Sequence, residues 1–141
     1  GARIVQYSAG RFLVQHITPR SIIRKSILGT VADDAFVTDK MVDRYWELLR
    51  YPGNRRATGL RALADREPGY GQQLTDVAVP TLILWGTEDR VIPPDNANTF
   101  HEMIPGAELQ IFDDVGHLPM EEAPARTAVV IEAFLHANQA Q

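Results

Sequence analysis

The first half of the chain alternates apolar and polar residues with the 3.6-residue period of an amphipathic α-helix. This period predicts three helices, over residues 19–28, 38–50 and 55–67. Thr38 is a typical N-cap for the second helix, and the Pro52-Gly53 pair is a typical stop signal after it. The apolar positions predicted to face inward are Ile22, Ile23, Ile27, Met41, Val42, Tyr45, Leu48 and Leu49.

The second half of the chain changes its apolar period near residues 69–80. A short apolar run, "TLILW" at 81–85, predicts a strand buried on both faces, as in a parallel sheet, and "ELQIF" at 108–112 predicts a second strand. Helices are predicted after each strand, so the order strand, helix, strand, helix favours a right-handed βαβα unit. The positions predicted to face inward are Phe100, Met103, Leu109, Ile111, Phe112, Val130, Ile131 and Phe134.

Composition and charge narrow the choice of partners. The 141 residues are 45% hydrophobic and 23% charged, with a net charge of −4, which is typical of a globular protein rather than a polyanion binder. Arg20, Arg24 and Lys25 form the densest basic cluster, and a solvated helix face explains them better than an anion site. No run of eighteen apolar residues occurs, and there is no cysteine. We therefore expect no nucleic-acid partner, no membrane partner and a cytoplasmic location.

Candidate chemistry lies on the two loops that follow the predicted strands. The first loop, "WGTED", carries Glu88 and Asp89, and the second, "FDDVGH", carries His117. Catalytic groups collect at the carboxyl ends of parallel strands, so an acid and a histidine 117 − 89 = 28 positions apart are expected to meet there. A carboxylate that accepts the imidazole Nδ1 proton fixes the tautomer that a hydrolytic base needs. Asp89 and His117 are thus the predicted catalytic residues.

Other polar residues have simpler explanations. Glu88 is expected to face solvent, and Asp89 alone would be an ordinary turn residue. Asp113 and Asp114 lack a recognisable metal-ligand spacing, so neither a metal nor a cofactor is predicted. The remaining histidines fall on predicted helices without an acid placed to orient them, and these are His16, His101 and His136. Tyr45 and Trp46 fit helix packing better than the lining of a substrate pocket.

With both loops in view, the chain resembles the α/β-hydrolase fold superfamily. The resemblance is carried by "VPTLILWGTEDRVIPP" and "ELQIFDDVGHLPMEEAPARTAVVIEAFL". In that family a G-x-x-D turn supplies a triad acid and a G-H dipeptide supplies the base, which implies Asp89 and His117 in these roles; Pro119, Glu121 and Pro124 also match. Residues 1–72 are similar to a helical cap segment of the epoxide-hydrolase-like or carbon–carbon-hydrolase-like branches. Residues 73–141 are then the C-terminal part of the catalytic domain, with its last parallel strands and helices.

The family's nucleophile has no counterpart here. Its G-x-S-x-G elbow is absent from the 141 residues, and Ser8 in "QYSAG" lacks the first glycine and a preceding strand. The resemblance therefore implies a C-terminal fragment that needs the missing N-terminal half and is inactive alone. The implied function is triad hydrolysis of an ester or carbon–carbon bond in a small, largely apolar substrate. The alternatives are an epoxide hydrolase or haloalkane dehalogenase with an aspartate nucleophile, and a ligand-binding member of the fold without turnover.

Overall fold

The computed structural model describes residues 18–63 and 71–139. The contacts within the chain divide it into two compact units. The helical unit comprises Gly1–Leu28 and Val37–Arg66, and the sheet unit comprises Gly29–Phe36 and Glu67–Gln141. Ser8, His16 and the end of the third predicted helix lie outside the described residues. The assignment of residues 1–72 to a cap and of 73–141 to a catalytic part stays a prediction.

The helical unit contains α1 (Arg20–Leu28), α2 (Asp39–Arg50) and α3 (Asn54–Leu63). The Thr38 hydroxyl accepts a hydrogen bond from the Met41 amide at 3.2 Å, so the predicted N-cap of α2 is confirmed. The Pro52-Gly53 pair separates α2 from α3, with Gly53 at a φ of +89°, a conformation that favours glycine. The three predicted helices are thus present where the structure describes them.

Side chains from α1 and α2 hold these two helices together. Arg20 forms ion pairs with Asp39 and Asp43, and Arg24 forms one with Asp39. Two of the three residues of the basic cluster are therefore neutralised by neighbouring carboxylates. In addition, the Trp46 indole of α2 donates a hydrogen bond at 2.8 Å to the carbonyl oxygen of Thr18, which precedes α1.

Most of the predicted inward positions of the helical unit are confirmed, and two are wrong. Ile27 and Val42 are buried, whereas Ile22 is 57% exposed and Leu48 is 49% exposed. Ile22 nevertheless shares a face with Ile23 and Ile27, because all three line one mostly apolar cavity of about 380 Å³. The other residues of that cavity's wall are Thr18, Ser26, Tyr45, Leu49, Arg55 and Thr58.

The sheet unit contains two parallel strands, β1 (Leu82–Gly86) and β2 (Glu108–Phe112), within the described residues. They pair in register from Leu82 opposite Glu108 to Gly86 opposite Phe112. A short 3₁₀ turn at Asp34–Phe36 belongs to the same unit. The helices of the unit are α4 (Gly71–Leu74), α5 (Asp95–Met103), α6 (Pro119–Glu122) and α7 (Pro124–Asn138). The parallel order of strands and helices predicted from the apolar pattern is thereby confirmed.

One core cluster of the sheet unit is built from Ile83, Ile104 and Ala107. Its partly buried neighbours are Leu74, Val77, Trp85 and Leu109. Phe100, predicted to face inward from α5, is instead 36% exposed, and Ala97 is the fully buried residue of that helix. A small residue at a buried position lets a helix backbone pack closely against its neighbours. The larger Phe100 ring lies near Trp85, with 5.9 Å between the two ring centroids.

Two further burial predictions need correction. β1 is not buried on both faces, because Ile83 is buried while Leu82 and Leu84 are only half-buried. On α7, Val130 and Phe134 are half-buried as predicted, but Ile131 is 36% exposed, and the buried side chain is Thr127. The Thr127 hydroxyl donates to the Pro119 carbonyl oxygen at 2.9 Å, which satisfies its buried oxygen.

Among residues 18–63 and 71–139, no helix has the length and apolar composition needed to cross a membrane.

Candidate active site

The loops that follow β1 and β2 lie against each other at the carboxyl ends of the two strands. The Thr87 amide donates to the Phe112 carbonyl oxygen at 3.0 Å, and the Glu88 amide donates to the Val115 carbonyl oxygen at 2.9 Å. The Thr87 hydroxyl accepts from the Asp114 amide at 3.1 Å. These three hydrogen bonds extend the contact between the strands beyond their ends and fix the two loops to each other.

Glycine at position 86 allows this close contact. A β-carbon built on Gly86 would lie 2.1 Å from the Val115 carbonyl oxygen and 2.3 Å from the Gly116 carbonyl oxygen. Both distances are far below ordinary van der Waals contact, so any side chain at this position would push the second loop away. The backbone before His117 passes directly over the last residue of β1. This close approach requires a glycine at position 86.

Asp89 is held in one orientation by backbone amides. Its Oδ1 atom accepts hydrogen bonds from the amides of Val91 at 2.8 Å and Ile92 at 2.9 Å. The side chain is only 4% exposed. A short polar side chain that bonds the amides two and three residues ahead is typical of a turn after a strand. The second oxygen, Oδ2, remains available for a partner from the other loop.

That partner is His117. Its Nδ1 atom lies 2.8 Å from Asp89 Oδ2, and its side chain is 33% exposed. Burial alone raises the pKa of Asp89, but the hydrogen bonds from His117, Ile92 and Val91 outweigh it and hold that pKa below its ordinary value. An ionised carboxylate only accepts hydrogen bonds, so Nδ1 carries the proton of this bond, and in a neutral imidazole the accepting nitrogen is then Nε2.

The backbone around His117 is fixed by a segment far away in the sequence. The His117 amide donates to the Thr30 carbonyl oxygen at 2.7 Å. A β-carbon on Gly116 would lie 2.6 Å from that same Thr30 oxygen and 2.8 Å from the Ala32 nitrogen. Gly116 is therefore needed for backbone contact, as Gly86 is. The contact with residues 30–32 had no signal in the sequence, because nothing in the apolar pattern marks that segment.

Glu122 is a second contributor that the sequence pattern did not single out. Its carboxylate accepts hydrogen bonds from the amides of Gly116, Leu118 and Ala32. The neighbouring Glu121 is the residue that matches the family's loop, and Glu122 beside it makes these three hydrogen bonds.

The remaining candidates lie apart from this pair. Glu88, Asp113 and Asp114 are exposed, and so are His101 and His136 on their helices. In the helical unit, the Trp46 indole donates a hydrogen bond to the Thr18 carbonyl oxygen, and the Arg50 guanidinium lies over its ring, 4.1 Å from the ring centroid. Tyr45 lines the apolar cavity. Within the described ranges, no three histidine or acidic side chains come together in a way that would hold a metal ion.

Comparison with known proteins places this chain in a family. The profile of the alpha/beta hydrolase family matches residues 4–130. The epoxide hydrolase EphH of Mycobacterium tuberculosis is 39% identical over 120 residues, which are 84% of this chain and 48% of that protein. Lipase 1 of Psychrobacter immobilis is 41% identical over 63 residues, 45% of this chain and 20% of the lipase.

Solved structures show the same fold. A thermophilic esterase from Thermogutta terrifontis superposes with a TM-score of 0.73 at 24% identity, over 96% of this chain and 48% of the esterase. A meta-cleavage product hydrolase from Pseudomonas fluorescens superposes with a TM-score of 0.71 at 24% identity, over 88% of this chain and 48% of that hydrolase.

The chain belongs to the alpha/beta hydrolase family, since the family profile matches most of its length. Its parallel strands and flanking helices form a portion of the α/β-hydrolase fold. The chain spans about half the length of EphH and of the esterase, and the 63 residues that match the lipase cover a fifth of it. These relatives and solved structures are named as hydrolases. The geometry of the Asp89–His117 pair is therefore compared with what a hydrolytic reaction requires.

Proposed function

We propose that Asp89 and His117 are the acid and the base of a hydrolytic triad. The observation that carries this proposal is the 2.8 Å hydrogen bond between the nearly buried Asp89 carboxylate and the partly exposed His117 imidazole. Both side chains stand at the carboxyl ends of neighbouring parallel strands, where ligands bind in open α/β sheets. Family membership supports the same assignment, because nucleophile, acid and histidine base are the working parts of such enzymes.

In this mechanism His117 moves the proton and Asp89 stabilises the resulting charge. For a serine nucleophile, Nε2 takes the hydroxyl proton while the serine oxygen bonds to the substrate carbonyl carbon, and Nε2 then gives the proton to the leaving group. Water next attacks the acyl carbon, and Nε2 takes a proton from the water and returns it to the serine oxygen as the acyl–serine bond breaks. For an aspartate nucleophile, Nε2 instead takes a proton from the water that hydrolyses the covalent ester intermediate. In both cases the anionic Asp89 lies next to the imidazolium and lowers its energy.

The nucleophile of this triad is proposed to come from a segment outside the 141 residues. The sequence contains no G-x-S-x-G motif. The match to EphH covers 48% of that relative, which leaves more than half of the relative without a counterpart here. The active protein, on this proposal, contains the present chain together with the strands that precede it in the fold.

The first candidate substrate class is a small, largely apolar ester or a compound cleaved at a carbon–carbon bond. Relatives named as lipases and a solved meta-cleavage product hydrolase support this class. The second candidate is an epoxide, opened by an aspartate nucleophile. It is favoured by one observation, the 39% identity to a protein named as an epoxide hydrolase over 84% of this chain.

The test uses the protein expressed from the complete reading frame that encodes this chain. Turnover of p-nitrophenyl esters, a meta-cleavage product and a styrene epoxide is measured for wild type and His117→Ala, with His101→Ala as the matched control. We expect one substrate class to be hydrolysed, and His117→Ala alone to abolish the activity. A fluorophosphonate probe that labels wild type supports the serine nucleophile, whereas epoxide turnover without labelling supports the aspartate. Binding of these compounds with no turnover of any of them would contradict the proposal and favour a ligand-binding protein.

A further inference from the structure

The carboxylate of Glu122 accepts hydrogen bonds from three backbone amides that belong to two separate segments of the chain. Its Oε1 atom accepts from Gly116 at 3.0 Å and from Leu118 at 3.2 Å. Its Oε2 atom accepts from Gly116 at 3.1 Å and from Ala32 at 2.7 Å. Gly116 and Leu118 are the residues immediately before and after His117, and Ala32 lies 90 positions away from Glu122 in the sequence. A single side chain thus fixes the backbone on both sides of His117.

We propose that Glu122 is a positioning residue that aims the His117 imidazole at Asp89. The proposal rests on the hydrolytic function proposed above and names a further residue of that same site. The hydrogen bonds of Glu122 go to the peptide groups on either side of His117, and Glu122 acts through them. With the backbone on either side of His117 fixed, the direction of the His117 Cα–Cβ bond is fixed, and Nδ1 is held at hydrogen-bond distance from Asp89.

The chemistry of a carboxylate suits this task. An ionised carboxylate offers two oxygens that only accept, so it satisfies several amide donors at the same time, and hydrogen bonds to a charged acceptor are the stronger kind. A glutamine has the same shape but only one accepting oxygen, and its NH₂ group would face an amide donor. Glu122→Gln therefore leaves the bond to either Ala32 or Leu118 without an acceptor, while the volume of the side chain is unchanged.

The segment at Ala32 connects the two catalytic loops. The Thr30 carbonyl oxygen accepts from the His117 amide at 2.7 Å, on the same loop that Glu122 holds. The Ala32 carbonyl oxygen accepts from the Arg90 guanidinium at 3.3 Å, and Arg90 directly follows Asp89. Arg90 also lies 4.0 Å from Asp34. Residues 30–34 therefore contact the loop of the acid and the loop of the base, and Glu122 attaches them to the second.

The experiment compares Glu122→Gln and Glu122→Ala with Glu132→Gln, a control that makes the same change on the exposed surface of α7. All are made in the protein expressed from the complete reading frame. The first readout is the low-field proton resonance of the His117 Nδ1–H, a signature of the bond to Asp89. The second is hydrogen exchange at the amides of Ala32, Gly116 and Leu118. The third is kcat and KM, with kcat referred to the concentration of folded protein.

For Glu122→Gln we expect faster exchange at the amide of Ala32 or of Leu118, loss or displacement of the His117 resonance, and a kcat about 10²-fold lower with KM little changed. Glu132→Gln should match wild type in every readout. If Glu122→Ala does not fold, Glu122→Gln decides alone. A folded Glu122→Gln that keeps the wild-type resonance and kcat, and loses only thermal stability, would show a structural role and overturn the proposal. The resonance and the exchange need no turnover, so they test Glu122 even where the hydrolytic proposal fails.

Discussion

The backbone of Val115 passes so close to Gly86 that a β-carbon on the glycine would lie 2.1 Å from the Val115 carbonyl oxygen. This contact joins the end of β1 to the loop that carries His117. Gly86→Ala must displace one of the two backbones, and overpacking of this kind costs about 1–3 kcal/mol. We expect a loss of stability of that size in urea unfolding, together with a weaker Asp89–His117 hydrogen bond, because the two loops would move apart.

Gly59 provides the matched control for this substitution. It lies within α3, its φ is not positive, and a β-carbon there would meet no atom within 4 Å. Alanine is favoured over glycine in a helix by about 0.5–1 kcal/mol, so Gly59→Ala should stabilise the protein slightly. Equal effects of the two substitutions would show that the approach of Val115 does not constrain position 86.

The pKa of Asp89 predicts how stability depends on pH. Burial raises this pKa, but the hydrogen bonds from His117 and two amides lower it by more than burial raises it. The folded pKa therefore lies below the unfolded value of about 3.9. The stabilisation by ionised Asp89 is therefore complete above about pH 4 and is lost as the pH falls through the folded pKa. Urea midpoints of wild type and Asp89→Asn should differ at neutral pH and converge in acid. A difference that persists undiminished at about pH 2 would contradict this account.

A cap substitution tests the start of α2. Thr38→Ala removes the hydroxyl that accepts from the Met41 amide at 3.2 Å, and loss of such a cap costs about 1 kcal/mol. Thr38→Ser keeps the oxygen and should restore most of that stability. The measurement is the unfolding free energy of the three proteins in urea. If the serine variant is as unstable as the alanine variant, the hydroxyl is not the stabilising group.

The 141-residue chain should not hydrolyse esters or epoxides by itself. It supplies the acid and the base of the proposed triad but no nucleophile elbow. Turnover by the purified chain that His117→Ala abolishes would contradict the proposal that the nucleophile lies on another segment. Turnover that survives His117→Ala would point to a contaminating enzyme, and repeating the assay on an independently purified preparation separates the two results.

The predictable part of the site is the part encoded by local pattern. Asp89 and His117 each follow a short apolar strand, and parallel strands bring their carboxyl ends together, so their meeting follows from the sequence alone. The N-cap at Thr38 is likewise a local feature. Glu122 and Ala32 could not be predicted in this way, because their hydrogen bond joins positions 90 residues apart and depends on how the loops pack.

The wrong burial predictions have a related cause. A helical period identifies an apolar face but not which residue of the helix is most buried. On α5 that residue is the small Ala97, whereas the large Phe100 is 36% exposed beside Trp85. On α7 it is Thr127, whose hydroxyl is satisfied by the Pro119 carbonyl oxygen, a partner that no periodicity reveals.

The central claim is that Asp89 orients His117 for proton transfer, and the kcat of Asp89→Asn tests it most directly. Asparagine preserves the shape but offers an NH₂ group to the imidazole, so the wrong tautomer of His117 is favoured, and a change of this kind lowers kcat by about 10⁴-fold. Asp113→Asn, on the exposed part of the His117 loop, is the control for the loss of one charge. In the protein expressed from the complete reading frame, we predict a loss of that order for Asp89→Asn, with KM nearly unchanged and Asp113→Asn equal to wild type. A kcat for Asp89→Asn within a few-fold of wild type would contradict the account.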